Sequence, residues 1–412
     1  MASWKDEQVL IVGGGIGGLT AALALARQGI PSQVIEQAAE FKEIGAGIQL
    51  GPNVFRMFEK LDLIAPVSAL AVFPENLVML DSITSEEVTR IPLGDAFRKK
   101  FHHPYALIHR ADLHNVLLEA CRKSNLIKLD AAQKIAGVEE IDGGVKAKTA
   151  NGKDYRGAAL IGADGLWSTI RELVVGDGKP KPAGHITYRA VLPTSEIPER
   201  YRRRDMVIWA GEKVHFVLYP LRTGELYNLV AVFHSNRYEE GWDSYGDPAE
   251  LHERFAPTCA PVRALLAKIE SWRMWVLCDR PPIKDWSRGR ITLLGDAAHP
   301  MLQYLAQGAC MAVEDAVCLT DQAVATEGDY ASAFRAYQQA RYLRTGRVQI
   351  MARVYGEFYH AGGVAKELRN MMLGSRTPDD AMAGMEWLYG EQKELTRSGV
   401  ARDASESSGV RG

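Results

Sequence analysis

The chain has 412 residues, 47% of them hydrophobic and 24% charged, which excludes a mainly disordered protein and supplies apolar side chains for more than one core. Its 49 Lys and Arg stand against 51 Asp and Glu, so no global field gathers nucleic acid or an acidic membrane surface, and chemistry on a small molecule is the better expectation. The five cysteines, Cys121, Cys259, Cys278, Cys310 and Cys318, are odd in number and free of CxxC spacing; a disulfide framework or a zinc site is not expected from them, and no metal is predicted.

Met1 to Gln8 is polar and runs directly into an apolar run, without a basic segment and signal core. The longest apolar stretch, Leu63 to Phe73, is broken by Pro66 and Ser68 and is too short to span a bilayer. A soluble, cytoplasmic protein is the expectation.

Val9 to Val12 reads as a buried strand, followed by a glycine turn, an Ala- and Leu-rich helix to Gln28 and a closing Gly29. A second strand, Gln33 to Ile35, ends at Glu36 and completes a βαβ opening. Between Leu77 and Leu93 a hairpin pattern around Asp81 to Glu86 suggests an excursion into another sheet. The chain returns with a helix near His109 to Leu118 and a strand from Leu160 to Ala163. From Ile186 to Phe233 runs of Val, Phe, Leu and Tyr, separated by turns at Gly211-Glu212 and Thr223-Gly224, predict an antiparallel platform. A third buried strand, Ile291 to Leu294, leads into a helix from about Gly308, so the nucleotide-binding unit resumes late. Tyr330 to Tyr359 and Leu368 to Leu388 have helical spacing, and after Glu391 the composition predicts a disordered tail.

The expected fold class is therefore α/β, with a Rossmann-like dinucleotide-binding domain interleaved with an antiparallel β-sheet substrate domain and followed by C-terminal helices. The predicted boundaries are 1–74, 100–180 and 277–345 for the first domain, 75–99 and 181–276 for the second, 346–391 for the helical region and 392–412 for the tail.

Gly13, Gly15 and Gly18 form GxGxxG between strand and helix, where missing side chains let backbone approach a pyrophosphate at a helix N-terminus, and Glu36 supplies a carboxylate for a ribose. Gly162-Ala163-Asp164-Gly165, with Ser168 and Arg171 behind it, and Gly295-Asp296-Ala297-Ala298-His299-Pro300 are two later acidic turns, each after a buried strand. One fingerprint and two such turns make a composite site for one long cofactor.

These three motifs resemble those of the flavoprotein aromatic hydroxylases, the family that includes 4-hydroxybenzoate and salicylate hydroxylases. The resemblance covers nearly the whole chain apart from the tail. It implies FAD as the bound cofactor, NADH or NADPH as a transient reductant, O2 as cosubstrate and a small phenolic acid as substrate. It further implies that Arg110 lies along the ribityl and phosphate region and that Asp164 stands between the FAD and nicotinamide routes. Asp296 holds the ribityl hydroxyls, and the helix from Gly308 aims its positive end at the flavin pyrimidine edge. Phe41 to Pro52, with Gly45 and Gly47, matches the family's mobile stretch. Cys310 is a departure, since many relatives carry Asn there.

In His215-Phe216-Val217-Leu218-Tyr219-Pro220, strand alternation puts His215, Val217 and Tyr219 on one face. An electrophilic oxygen carried by the flavin needs an electron-rich ring. A phenol of pKa about 10 gains from a nearby base such as His, of pKa about 6.5, and His215 is the candidate. Gln303 stands where most relatives carry proline; with His215 and Tyr219 it resembles the 3-hydroxybenzoate 6-hydroxylase group, in which the corresponding His and Gln contact substrate. Gentisate, 2,5-dihydroxybenzoate, is then the implied product. Hydroxylation of salicylate with decarboxylation, 3-hydroxylation of 6-hydroxynicotinate and a flavin-binding protein without oxygenase chemistry remain alternatives. A nicotinamide dehydrogenase is disfavoured by the absence of a second GxGxxG. No arginine is singled out for the substrate carboxylate, and a homodimer is expected from the long C-terminal helices.

Overall fold

In a computed structural model, residues 4–43, 45–235 and 244–391 are described. The strand Val9–Val12 is buried at every position, the pattern of a parallel strand covered on both faces. It lies inside a six-stranded sheet in the order Ser287–Arg288, Ile291–Leu293, Ala159–Gly162, Val9–Val12, Ser32–Ile35, Ile127–Asp130. Every pairing is parallel except that of the short Ser287–Arg288 edge. The helices Ile16–Arg27 and Gly308–Ala325 pack against each other beside it. Small residues set their approach: a Cβ on Gly17 would stand 2.8 Å from a Leu294 methyl and 3.4 Å from Ala312 Cβ.

The second large sheet has eight strands, in the order Ser244–Tyr245, Arg273–Asp279, Lys181–Pro193, Leu226–His234, Val214–Leu221, Met206–Gly211, Asn76–Asp81, Glu87–Pro92. The hairpin Asn76–Asp81 and Glu87–Pro92 arrives from the early excursion and joins Met206–Gly211 in parallel. That pairing departs from the all-antiparallel expectation because the hairpin reaches the sheet by a crossover from the other unit, whereas the later strands follow one another through turns. One face of this sheet, with Leu80, Trp209, Phe216 and Leu229, is covered by the helices Pro248–Phe255 and Ala260–Leu266. The other, with Val217, Tyr219, Val230 and Val232, looks toward Leu302, Met311, Val348 and Ala352. The fold is the expected α/β class, a Rossmann-like sheet interleaved with a largely antiparallel one.

Two smaller sheets were not anticipated. Ile135–Ile141, Gly144–Thr149 and Asp154–Gly157 form a meander. Gly47–Leu50 pairs with Ala106–His109, so part of the glycine-rich stretch 41–52 is a strand. The helix Tyr330–Tyr359 runs from the first core, through Tyr330, Phe334 and Tyr337, to the second, through Val348 and Ala352. Gly363–Gly374 and Pro378–Tyr389 follow, the latter opened by a capping box between Thr377 and Asp380. The tail expected at 392–412 lies outside the described residues. Among the described residues no helix is long and apolar enough to cross a membrane.

Candidate cofactor and substrate site

The glycine turn shows why side chains are missing from it. Gly13 has φ +109°, and a Cβ there would fall 2.3 Å from the Ala163 carbonyl oxygen; a Cβ on Gly18 would fall 1.9 Å from Gly13 O. Gly15 instead faces open space, with only Glu43 Oε1 near, at 3.5 Å from a Cβ. The helix Ile16–Arg27 that starts there has no side-chain cap, which leaves its first amides without a side-chain acceptor, the condition under which a helix N-terminus takes an anion. Glu36, at the end of Ser32–Ile35, accepts from Gly14 N at 2.6 Å and from Ala38 N at 2.8 Å, which holds the acid beside the turn.

Arg110 opens the helix Arg110–Arg122; its Nη2 donates to Glu43 Oε1 at 3.0 Å, whereas its Nε is buried with no partner. Asp296 is exposed between the buried Gly295 and Ala297, and His299 and Arg110 are close enough to act on its carboxyl. A Cβ on Gly308 would stand 3.7 Å from Asp296 Oδ1, and the helix Gly308–Ala325 also lacks a side-chain cap. Two uncapped helix ends, an orphaned guanidinium nitrogen and an exposed carboxyl therefore lie together, and this set fits a long dinucleotide such as FAD.

Asp164 is placed differently from its neighbours. Its backbone adjoins the turn, with its Cα 3.0 Å from where a Gly13 Cβ would be, but its carboxylate accepts from Ser168 Oγ and from Ile170 N and so caps the helix Thr169–Val174. Arg171 pairs with Asp177 and donates through Nη1 to the Ala297 and Ala298 carbonyls at 2.9 and 2.6 Å, tying the two acidic turns together. Behind them His299 meets Asp315 at 2.5 Å, Asp315 meets Arg341 at 2.7 Å, and Glu314 meets Arg341 and Arg344 at 2.7 and 2.6 Å. Cys310 sits under the strand Gly47–Leu50, its Sγ 3.8 Å from Gln49 O, and burial pushes its thiol up to about 12, so it stays protonated.

On the inner face of the eight-stranded sheet, pairing sets the residues in rows. Thr187, Val232 and His215 form one row, Arg189, Val230 and Val217 the next, Val191, Asn228 and Tyr219 a third. The predicted alternation of His215, Val217 and Tyr219 holds, and all three are buried. Gln303 closes over the rows: its Nε2 donates to Thr187 Oγ1 at 3.2 Å, and its Oε1 accepts from Arg189 Nη2. His215 Nδ1 lies 2.7 Å from His360 Nε2, with the Tyr304 and Tyr359 rings at 5.6 and 5.8 Å.

Burial, then His185 and His234, push His215 down to about 3, which keeps its imidazole neutral. Burial pushes the Tyr219 hydroxyl up, and Gln49 hydrogen-bonds to it. Gly47 has no side chain because the Tyr219 ring occupies that space, 2.5 Å from where a Cβ would be.

Arg189 is the residue that sequence reasoning missed. The residue is half-buried, its Nε is enclosed with no partner, and among the described residues no carboxylate comes within ion-pair distance of it. It stacks near Trp275, 5.6 Å from the ring centroid, and lines a cleft of about 550 Å³ with Gly45, Ala46 and Arg273. A buried cation without a counterion is costly unless an anion arrives.

Comparison with known proteins agrees with this geometry. The family model described as FAD binding domain matches residues 6–348. The chain is similar to 3-hydroxybenzoate 6-hydroxylase 1 of Aquipseudomonas alcaligenes, 44% identical over 387 residues that cover 94% of this chain and 98% of that protein. It is also similar to 3-hydroxybenzoate 6-hydroxylase of Polaromonas naphthalenivorans (strain CJ2), 44% identical over 385 residues, 93% of this chain and 96% of that protein. Among solved structures, Klebsiella pneumoniae HpxO complexed with FAD and uric acid superposes with a TM-score of 0.81 at 26% identity, covering 93% of this chain and 97% of that one.

Proposed function

The chain belongs to the FAD binding domain family, and from that premise we propose that it is a single-component monooxygenase that converts 3-hydroxybenzoate to 2,5-dihydroxybenzoate. The overall change is substrate, O2, reduced nicotinamide and a proton going to gentisate, water and oxidised nicotinamide. FAD, held by the Gly13–Gly18 turn, Glu36, Arg110, Asp296 and the helix at Gly308, supplies the electron transfer and oxygen activation. The reductant, NADH or NADPH, is taken to bind transiently, because the chain has no second GxGxxG.

The observation that carries this reading is Arg189, without a carboxylate partner among the described residues, on the same sheet face as His215. The two lie two strands and one row apart, roughly 12 Å between backbones at ordinary sheet spacings, which one hydroxybenzoate can bridge when both side chains reach inward. Arg189 would take the carboxylate. The neutral imidazole of His215 would accept the phenol hydrogen bond through Nε2, which draws charge into the ring and enriches the carbon para to the hydroxyl. Gln303, held by Thr187 and Arg189, positions the ring edge, and Tyr219, kept protonated by burial, donates at the far side. Val217, Val230, Val232 and Leu302 exclude water around it.

The test is aerobic turnover of FAD-loaded protein with NADH and, separately, NADPH, comparing 3-hydroxybenzoate, salicylate and 6-hydroxynicotinate and quantifying H2O2. Gentisate from 3-hydroxybenzoate supports the reading; reductant oxidation that yields only H2O2 from all three refutes the substrate.

The same reading extends to assembly and location: a homodimer, working in the cytoplasm. Leu343, Ile350 and Val354 are exposed along one stripe of the helix Tyr330–Tyr359, and Val364, Leu368, Met371 and Met372 are exposed on the next helix. Apolar surface of this kind favours a second copy. Light scattering after gel filtration tests it, a monomer mass being the contrary result.

A further inference from the structure

At one end of the candidate substrate face four imidazoles meet. His185 and His234 are direct partners on neighbouring strands, His215 lies one row further on, and His360, just past the helix Tyr330–Tyr359, closes over them. His360 Nδ1 is 2.9 Å from His234 Nε2, and His360 Nε2 is 2.7 Å from His215 Nδ1. His185 Nδ1 is 2.7 Å from the Tyr304 hydroxyl. One ligand atom from each of His185, His234 and His360 falls within 4.8 Å of the others. The charged groups that act on the cluster from packed elements are Glu357 and Lys213.

We propose that His185, His234 and His360 form a binding site for a divalent transition metal of the zinc type, with imidazole nitrogen ligands and a fourth position left to water. Cysteine spacing led to the opposite expectation, since these histidines come together only on folding. A tetrahedral zinc, with Zn–N of about 2.0–2.1 Å, sets its ligand nitrogens about 3.4 Å apart. The His234–His360 pair at 2.9 Å therefore opens by about 0.5 Å and His185 closes in by at most about 1.4 Å, shifts that ring rotation supplies. The outer partners are already in place: with Nε2 of His185 and Nδ1 of His360 on the metal, the opposite nitrogens hold their hydrogens toward Tyr304 and His215, the arrangement that orients metal-bound imidazoles.

Occupation has a consequence that rests on the role proposed above for His215. A metal on His360 Nδ1 requires the hydrogen on Nε2, which then donates to His215 Nδ1. The hydrogen of His215 is thereby fixed on Nε2, the nitrogen left for the ring cavity, and that nitrogen can no longer accept from a phenol. The site is therefore inhibitory: metal lowers oxygen transfer without displacing FAD.

The experiment uses the full chain loaded with FAD, stripped by chelator and titrated with Co²⁺ and then Zn²⁺ in the absence of substrate. One Co²⁺ per chain, with the ligand-field absorption of a four-coordinate site and displacement by Zn²⁺, is expected. His234→Phe and His185→Phe should each weaken binding at least about 10-fold, and Tyr304→Phe, which spares all three ligands, by about 10- to 100-fold. Absence of a stoichiometric site in the wild type, or equal affinity in the His185→Phe/His234→Phe double variant, overturns the proposal. In the turnover arm, zinc should suppress gentisate formation in the wild type. Binding without suppression overturns the inhibitory coupling. Metal binding in a protein that makes no gentisate at all supports the site and refutes the hydroxylase reading, whereas intact turnover without a metal site refutes this proposal alone.

Discussion

Replacing Arg189 with Met separates a substrate anchor from a structural pillar, because the two roles predict opposite changes. The guanidinium is half-buried, held by Gln303 and Trp275, and no carboxylate among the described residues neutralises it. With the acid bound, removing one partner of a buried charged pair costs about 2–5 kcal/mol. At about 1.4 kcal/mol per factor of ten, kcat/KM for 3-hydroxybenzoate should fall by about 30-fold to about 4,000-fold. Without substrate the same change replaces a half-buried charge that has no carboxylate partner among the described residues by an apolar chain of similar length, so Tm should hold. The assay is product formation and reductant oxidation with 3-hydroxybenzoate and with the neutral 3-hydroxybenzyl alcohol, alongside thermal unfolding of the FAD-loaded protein. The acid should lose and the alcohol should not. Equal losses on both substrates, or unchanged affinity for the acid, would refute the assignment, and a fall in Tm of several degrees would mark Arg189 as part of the scaffold.

His215→Ala should keep FAD and still oxidise reductant but divert it to H2O2, because the imidazole is remote from the phosphate turn; full coupling to product in that variant would remove it from the mechanism. Gly13→Ala should abolish FAD retention, since φ is +109° and the new methyl meets Ala163 O at 2.3 Å; a yellow variant with wild-type FAD content contradicts this. Glu314→Gln should cost about 3–5 kcal/mol by stranding buried arginines. Burial alone would raise the Glu314 carboxyl, but Arg344 and Arg341 outweigh it and bring it from 4.5 to about 2. The stabilisation is thus complete above pH 4.5 and lost as pH falls toward about 2, so the acid arm of the Tm profile should flatten in the variant.

Where pattern is local, reading the chain works. The βαβ opening, the two acidic turns and the face shared by His215 and Tyr219 follow from apolar runs, glycine and strand alternation. Arg189 escapes that reading because Thr187-Tyr188-Arg189-Ala190 alternates as a half-exposed strand would. Only the turn carrying Gln303, more than a hundred residues later, encloses the arginine. The four histidines escape for the same reason, as does the parallel joining of Asn76–Asp81 to Met206–Gly211. The meander from Ile135 to Gly157 is hidden in the sequence because Glu139, Glu140, Lys146 and Lys148 leave little apolar periodicity.

The helix Tyr330–Tyr359, with 30 residues, is about 45 Å long, and it is fastened at both ends. Tyr337 and Gln338 bond to Leu293, Trp286 and Ser287 beside the parallel sheet; Gln349 bonds to Pro300; Arg353 pairs with Asp279 of the larger sheet. A strut bolted to both layers resists shear between them, so the molecule has no hinge there about which its halves could swing. The short strand Gly47–Leu50 ties the same layers a second time: Gly47 N donates to Asn228 Oδ1 of the larger sheet at 2.8 Å, and Cys310 Sγ lies 3.8 Å from Gln49 O.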